Sequence, residues 1–558
     1  MFWVVFTGAS AVACVFAYGM VDRYLSFKLH RHTHPFVLVT LFANMTLLLS
    51  ITYLLPLDVF YSNQTSGRED ERPELPNLAL FWAVIYWAEF VICWLVFPVL
   101  ISYVDLKYLY PREPQEPGRR SVLRRLRGAV ICNLKFYGLC LLGVICGLVY
   151  LKTTTDRGAS DIKPLLIALS HLYSLLYMLV LLALGLVLLP QSLLREGSDE
   201  RRLFVELSQD NDALNEARLN MTDYAEKIIS LPSQMNGDVT LEQVINSCKL
   251  EVNAVLNELS IRIPELLVGT THSSVTLAKV NDFYNSFITE YYNYTYHQSR
   301  SDKIIHTLAV SQNTSGSVAR IIRRKLMGFA TLILSLLVAL LEVTPAKFAH
   351  SWVFWGNTWW HFVVEIALLV YCTVCSLYAM SKFKFLNFHL IANGSSNPRN
   401  ALYYSLYSSR LLLPLCFNFI TLIPSQGRSA TSGFEKALYK ELEVIPFVKY
   451  LNLYLPVVVI ILVPLAYHFD FKGKILLKMF GEEYYHEFFG TLYYPSHGEE
   501  AQSRGSGSSA HRRDGRRSRV VEDLEYSLQD GRYLFERATN TYALRNNRTD
   551  NPAASHYV

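Results

Sequence analysis

Residues 199–231 read DERRLFVELSQDNDALNEARLNMTDYAEKIISL, and the reading of this stretch decides the fold. Apolar residues recur seven apart at Leu207, Leu214, Met221 and Ile228. The second seam, Phe204, Asn211, Arg218 and Ala225, is half polar. The spacing predicts an amphipathic helix, and the polar seam argues against a long, stable dimeric coiled coil. The surrounding block, 191–325, holds no apolar run long enough to cross a bilayer, whereas the chain on both sides is built of such runs.

A bilayer core takes roughly 20 apolar residues in a helix. Segments 2–21, 36–57, 78–104, 129–151 and 164–189 meet this before the block, and 327–345, 358–380, 401–424 and 450–468 after it. Their continuity excludes barrel strands, which alternate. The chain is 51% hydrophobic and 18% charged, below the charge content of about a quarter in soluble domains. The expected fold is all-α: a polytopic membrane protein of nine transmembrane helices, five and four, around a large cytoplasmic helical, coiled-coil-like insertion. The expected division is a five-span half at 1–190, a helical module at 191–325, a four-span half at 326–468 and a cytoplasmic tail at 469–558, disordered from about 497. Of nine cysteines, only Cys248 lies outside apolar segments, so no exposed disulfide framework is available. Cys372 and Cys375 have C-x-x-C spacing, but inside a span they read as packing.

Charge sets the orientation. No charged side chain precedes the first span, and Asp22, Arg23, Lys28 and Arg31 follow it, which keeps that far side in the cytoplasm. A cleaved signal peptide ending near Ala17 and Gly19 competes, without a basic leader. With the N-terminus outside and the C-terminus cytoplasmic, short inner loops carry 13 Lys/Arg against 10 outside, seven of them in 105–128. Asn63-Gln-Thr65 is a glycosylation sequon in an expected outer loop.

Within the block, 14 Lys/Arg nearly balance 17 Asp/Glu across 195–325, which argues against a nucleic-acid partner. Leu241, Ile245, Cys248, Val252, Val255 and Leu259 form a second seam, and Phe283, Tyr284, Phe287, Tyr291 and Tyr294 an aromatic stripe on a third helix expected to run on into the sixth span. These helices either fold on one another or leave a seam open for a partner helix. Tyr103-Val-Asp-Leu106 has the shape of a tyrosine-based sorting signal.

Ionisable groups at membrane depth are candidates by default: Glu89, Glu365 and Arg410, with Asn418 a milder case. At about 1.5 Å per residue, Glu89 lies roughly 17 Å and Arg410 roughly 20 Å below the outer boundary, and Glu365 about 11 Å, which makes Glu89 the better depth match for Arg410 if spans three and eight are neighbours. That pair is either a packing device or part of a ligand or ion path. No P-loop, H-E-x-x-H or G-x-S-x-G is present. The reading is therefore not an enzyme, with no cofactor, no metal and a lipid bilayer as first partner.

Three stretches carry a family likeness. Leu55-Pro-Leu-Asp-Val59 closes the second span; Val84-Ile-Tyr-Trp87 and Trp94-Leu-Val-Phe-Pro98 lie in the third; Arg410-Leu-Leu-Leu-Pro-Leu-Cys-Phe-Asn-Phe419 lies in the eighth. With the 5 + block + 4 plan, these resemble the limb-region (LMBR) family of membrane proteins, and most closely its LMBR-domain-containing second-type branch. Ser409 and Leu413 depart from its Cys-Arg and Pro-Pro pattern. The resemblance implies a receptor-like or adaptor protein of plasma membrane or endomembrane, acting in signalling or endocytic trafficking, with protein partners on 199–325. Relatives include lipocalin-interacting receptors, partners in lysosomal cobalamin export and modulators of G-protein-coupled receptor signalling. A transporter, or a subunit of one, is the competing class; internal repeats and interrupted spans would mark it. Orientation is tested by glycosidase treatment: mobility of the wild type should shift and that of Asn63→Gln should not, whereas modification at Asn293 would reverse the topology.

Overall fold

The computed structural model describes residues 2–25, 35–65, 78–110, 118–154, 162–195, 200–232, 239–261, 275–312, 318–344, 359–382, 390–391, 394–423, 432–439, 446–468 and 525–540. Six helices precede the central block: α1 (Phe2–Tyr24), α2 (Pro35–Thr65), α3 (Leu78–Val91), α4 (Phe97–Asp105), α5 (Gly118–Thr154) and α6 (Ile162–Arg195). The block contributes α7 (Glu200–Ile229), α8 (Val239–Glu258) and α9 (Leu277–Gln312). Then come α10 (Val318–Val343), α11 (Trp359–Lys382), α12 (Pro398–Ser409), α13 (Leu412–Leu422), α14 (Pro446–His468) and α15 (525–540). Among the described residues the one β pairing is the isolated bridge Leu25–Ser395. It is extended by Gly394 N–H on Arg23 O, at 2.9 Å, and Gly394 takes the left-handed φ of 82° that suits glycine.

The protein is an all-α polytopic membrane protein. Among the described residues, seven stretches are helical, long and apolar enough to span: Phe2–Tyr24, Pro35–Ser62, Leu78–Asp105, Arg120–Gly143, Leu172–Leu194, Ile322–Val343 and Trp359–Lys382. The expected nine are thus matched at seven places. The expected eighth span is two shorter helices, α12 and α13, and the ninth holds the shorter apolar stretch Tyr454–Tyr467.

Prolines explain both irregular spans. The third span passes through a π-helical turn, Ile92–Val96, between α3 and α4. Pro98 cannot donate to Trp94 O, and the Tyr137 hydroxyl donates there instead, at 2.5 Å. In the eighth, Pro414 cannot donate to Arg410 O, and the helix tightens there with Leu411 N–H on Ser408 O at 3.0 Å. The expected run of α9 into the sixth span falls on residues 313–317, which lie outside the described residues; α9 is described to Gln312 and α10 from Val318.

The chain forms two compact units. One is Met1–Pro190, Tyr224–Phe287 and Ala330–His468; the other is Gln191–Asp223, Ile288–Phe329 and Phe469–Val558. This division cuts across the 191–325 block. In the first unit α2 runs through the core, with Leu48, Ile51, Leu54, Leu55 and Leu57 fully buried, against α1, α11 and α12. Gly185 of α6 meets α11 so closely that a Cβ would lie 2.2 Å from Cys375 O. Cys372 and Cys375 are buried, free thiols.

The end of α2 is held by a buried carboxylate. Asp58 is fully buried and accepts from Trp82 Nε1–H at 2.9 Å, Gly433 N–H at 2.9 Å and Phe434 N–H at 2.8 Å. The last two are open donors at a helix start, where a negative charge is favoured. Ser432 and Glu435 close the same start reciprocally, Ser432 N–H on Glu435 Oε2 at 2.8 Å and Glu435 N–H on Ser432 Oγ at 3.2 Å, a capping box. Phe434 packs edge-on to Trp82, with ring centres 4.8 Å apart. A Cβ on Gly433 would lie 2.7 Å from Leu78 Cβ.

In the second unit, Phe535 of α15 inserts among Phe204, Leu207, Ile304 and Leu308. Residues 525–540, inside the tail expected to be disordered, are therefore helical. Asp58→Ala should destabilise the first unit by about 3 kcal/mol or more, since it orphans three buried donors. Gly433→Val should do the same through steric overlap, and Glu435→Ala about 1 kcal/mol through the cap. Thermal unfolding in lipid nanodiscs ranks the three, and an Asp58→Ala melting point equal to wild type would contradict the assignment.

Candidate functional site

The side chains singled out from sequence fall at separate places in the first unit. Glu89 is buried on α3, one turn before the π turn, and Glu365 is buried on α11. Asn63 lies near the end of α2, and its side chain is outside the described residues. Arg410 sits at the break between α12 and α13, half-buried. Its Nη1–H donates to the Tyr173 hydroxyl at 3.4 Å, and its guanidinium lies 5.4 Å from the Tyr407 ring centre. Among the described residues no ion pair joins it to Glu89, although Cys93 of the third span lies close to both.

Asn418 is buried on α13, and its Nδ2–H donates to Glu342 Oε1 on α10. Its Oδ1 has no hydrogen-bond partner among the described residues. Glu342 was legible as the one acid inside Ala339-Leu-Leu-Glu-Val343, yet only the fold assigns it a partner. Asn44 on α2 donates to Ser405 O, at 3.1 Å, and to Ser405 Oγ, at 2.8 Å. These are hydrogen bonds between spans, each satisfying a polar group that hydrocarbon would leave bare.

A denser site lies where the third span ends. The last carbonyls of α4 have no helical donors, and side chains supply them. Arg125 Nε–H and Nη2–H reach Tyr103 O and Val104 O at 2.6 and 2.9 Å. Asn281 and Asn285 of α9 both reach Asp105 O, at 2.9 and 2.8 Å. Asn281 Oδ1 accepts in turn from Tyr108 N–H, at 3.0 Å. Asp105 is ion-paired with Arg399 at 3.1 Å.

One turn on, Lys107 Nζ donates to both Glu251 oxygens of α8, at 2.6 and 2.7 Å, and to the Tyr284 hydroxyl of α9 at 2.9 Å. The hydroxyls of Tyr108 and Tyr284 donate to Glu251 at 2.5 and 2.6 Å. Burial raises the Glu251 carboxyl, and the Lys107 charge with these hydrogen bonds outweighs it, so the group ends below the ordinary carboxylate value. Burial and the adjacent carboxylate raise both phenols, and burial, then Glu251, pushes the Cys248 thiol up to about 12. The site thus holds an anion amid protonated donors, and these bonds join α8 and α9 to the end of the third span. Among the described residues no group of His, Cys, Asp and Glu could hold a metal.

Sequence reasoning placed Tyr284 on an aromatic stripe and Lys107 in a basic loop, but joined neither to Glu251. Tyr103 is 1% exposed, its ring covered by Phe36 and the Arg125 guanidinium. Tyr103 to Asp105 form the last turn of α4, and Leu106 caps it.

The fold and these joints define a multi-pass helical membrane protein whose third span is fastened to helices of the central block. A sequence profile of the LMBR1-like membrane protein family matches residues 3–469, and the chain belongs to that family. It is 23% identical over 518 residues to a Caenorhabditis briggsae protein named G-protein coupled receptor-associated protein LMBRD2, covering 78% of each chain. It is 22% identical over 515 residues to LMBR1 domain-containing protein 2 homolog B of Dictyostelium discoideum, covering 78% of this chain and 62% of that one. No solved structure matches it.

Because the Glu251 carboxyl lies lower in the folded chain than in the unfolded one, its contribution is complete at neutral pH and is lost as pH falls through the lowered value. The melting point should therefore fall on acidification below about pH 5 in the wild type, and less steeply in Glu251→Gln. With Lys107 and Glu251 each 38% exposed, the ion pair is worth about 1 kcal/mol. Identical pH slopes for the two proteins would contradict the assignment.

Proposed function

We propose that this protein is a receptor-associated membrane adaptor, not an enzyme, acting in signalling or membrane trafficking through protein partners on residues 199–325. In this reading the N-terminus is outside, and the central helices and the C-terminus are cytoplasmic, as the Lys/Arg bias of the short loops suggests. The observation that carries it is the Lys107–Glu251–Tyr284 joint. It fastens α8 and α9 to the end of the third span, so that a partner gripping the membrane helices and one gripping the central helices act on a shared set of bonds. The name of the Caenorhabditis briggsae relative, receptor-associated, supports the same direction.

A second reading, a transporter or transporter subunit, is favoured by the break at Arg410 and the π turn of the third span, since interrupted helices line substrate paths. Uptake in proteoliposomes that Arg410→Gln abolishes would support it over the adaptor.

Co-purification with co-expressed G-protein-coupled receptors tests the first reading, using wild type, Lys107→Glu, Glu251→Lys and the charge-swapped double. Each single change should lower receptor recovery about fivefold and the double should restore it. No recovery with the wild type sinks the adaptor reading; equal recovery with all four removes the joint from it.

A further inference from the structure

In the second unit, α15 lies in a groove formed by the early part of α7 and the late part of α9. Its inner face is Ser527, Leu528, Gly531, Leu534, Phe535 and Ala538, a helical stripe with Gly531 and Phe535 buried. Gly531 is required by contact: a Cβ there would lie 1.9 Å from Phe204 O. Phe535 fills the pocket of Phe204, Leu207, Ile304 and Leu308, with its ring 5.9 Å from that of Phe204. Ser208 Oγ–H donates to Asp530 Oδ2 at 2.8 Å, and the Arg532 guanidinium stands 5.9 Å from the Phe204 ring centre. The opposite face is open, with Tyr526 73% and Tyr533 60% exposed.

We propose that this groove is a docking site for an amphipathic helix of a partner protein, with a small residue four positions before an aromatic one, and that α15 is its built-in, displaceable competitor. A helix of this length is marginal alone in water and gains its order from the groove. Phe535 and the Ser208–Asp530 hydrogen bond seat it, while docking brings Asp530 beside Asp212, and burial followed by that like charge raises the Asp212 carboxyl. In the sequence, residues 469–524 separate α15 from α14. Tethering at an effective concentration of about millimolar favours the resident helix until a tighter partner competes. Vacating the groove opens Phe204, Leu207, Ile304 and Leu308, an apolar patch that water disfavours and a partner helix would cover.

The test uses the full chain in lipid nanodiscs and a fluorescent synthetic peptide of residues 525–540. Gly531→Val and Phe535→Ala alter the tail and leave the groove intact. Both variants should bind the peptide at least about tenfold more tightly than the wild type, whose own tail competes. A peptide carrying Phe535→Ala should not bind either. Equal binding to wild type and variants, or none to the variants, overturns the proposal. In parallel, Ser208→Cys with Asp530→Cys should trap the docked tail as a disulfide, and excess free peptide should lower the trapped fraction. Trapping that ignores the peptide would make α15 a fixed third helix and also overturn it. The partner's existence rests on the adaptor reading, but peptide exchange is read without any receptor, so the two fail separately.

Discussion

A carboxylate taken fully out of water must find donors within the protein, and Asp58 meets this constraint with the open N–H groups of residues 433 and 434 and the indole of Trp82. Three segments far apart in sequence are thereby fastened at the end of α2, the helix that runs through the core of the first unit. Each partner is itself fixed: Gly433 by close approach to Leu78, the helix start by Ser432 and Glu435, and Trp82 by Phe434. Loss of the carboxylate would leave buried donors with no alternative, whereas loss of any one apolar contact would leave only a small void.

The same rule recurs wherever a helix ends or breaks. At the end of α4, Arg125, Asn281 and Asn285 supply the donors that the last three carbonyls lack. At Pro98 the missing N–H is replaced by a tyrosine hydroxyl. Satisfying these ends brings in residues from elsewhere, so the polar groups that close the backbone also join the elements. The end of the third span is the clearest case: its caps come from α5 and α9, and the adjacent Lys107 clamps α8 through Glu251.

The central block shows what amphipathic periodicity can and cannot decide. Seams at Leu207, Met221 and Ile228 and at Leu241, Ile245, Cys248 and Val252 are buried, as their spacing implies. The pattern says that these faces are covered and is silent on the cover. In the second unit the cover for Phe204 and Leu207 includes α15, from a tail whose upstream Ser/Gly/Arg-rich composition hid a helix with an apolar stripe.

Most of the architecture was therefore legible in the chain. Continuous apolar runs identify spans because lipid leaves helices as the economical backbone solution, and the seven spans lie where hydropathy placed them. Family membership was legible in the motifs around Asp58, Trp87 and Arg410. Pairings were not. Depth along a helix axis joined Glu89 to Arg410, but depth carries no azimuth, and at the two-residue break, Arg410 and Leu411, the side chain reaches Tyr173 and Tyr407. Asp58 with Gly433, Lys107 with Glu251 and Asn418 with Glu342 are separated by dozens to hundreds of residues, and only tertiary packing selects them. The sequence by itself determined which segments are apolar enough to cross a membrane, because transfer of a side chain to lipid is a local property. Which polar group meets which was decided by the tertiary structure alone, because a hydrogen bond depends on position and direction in space.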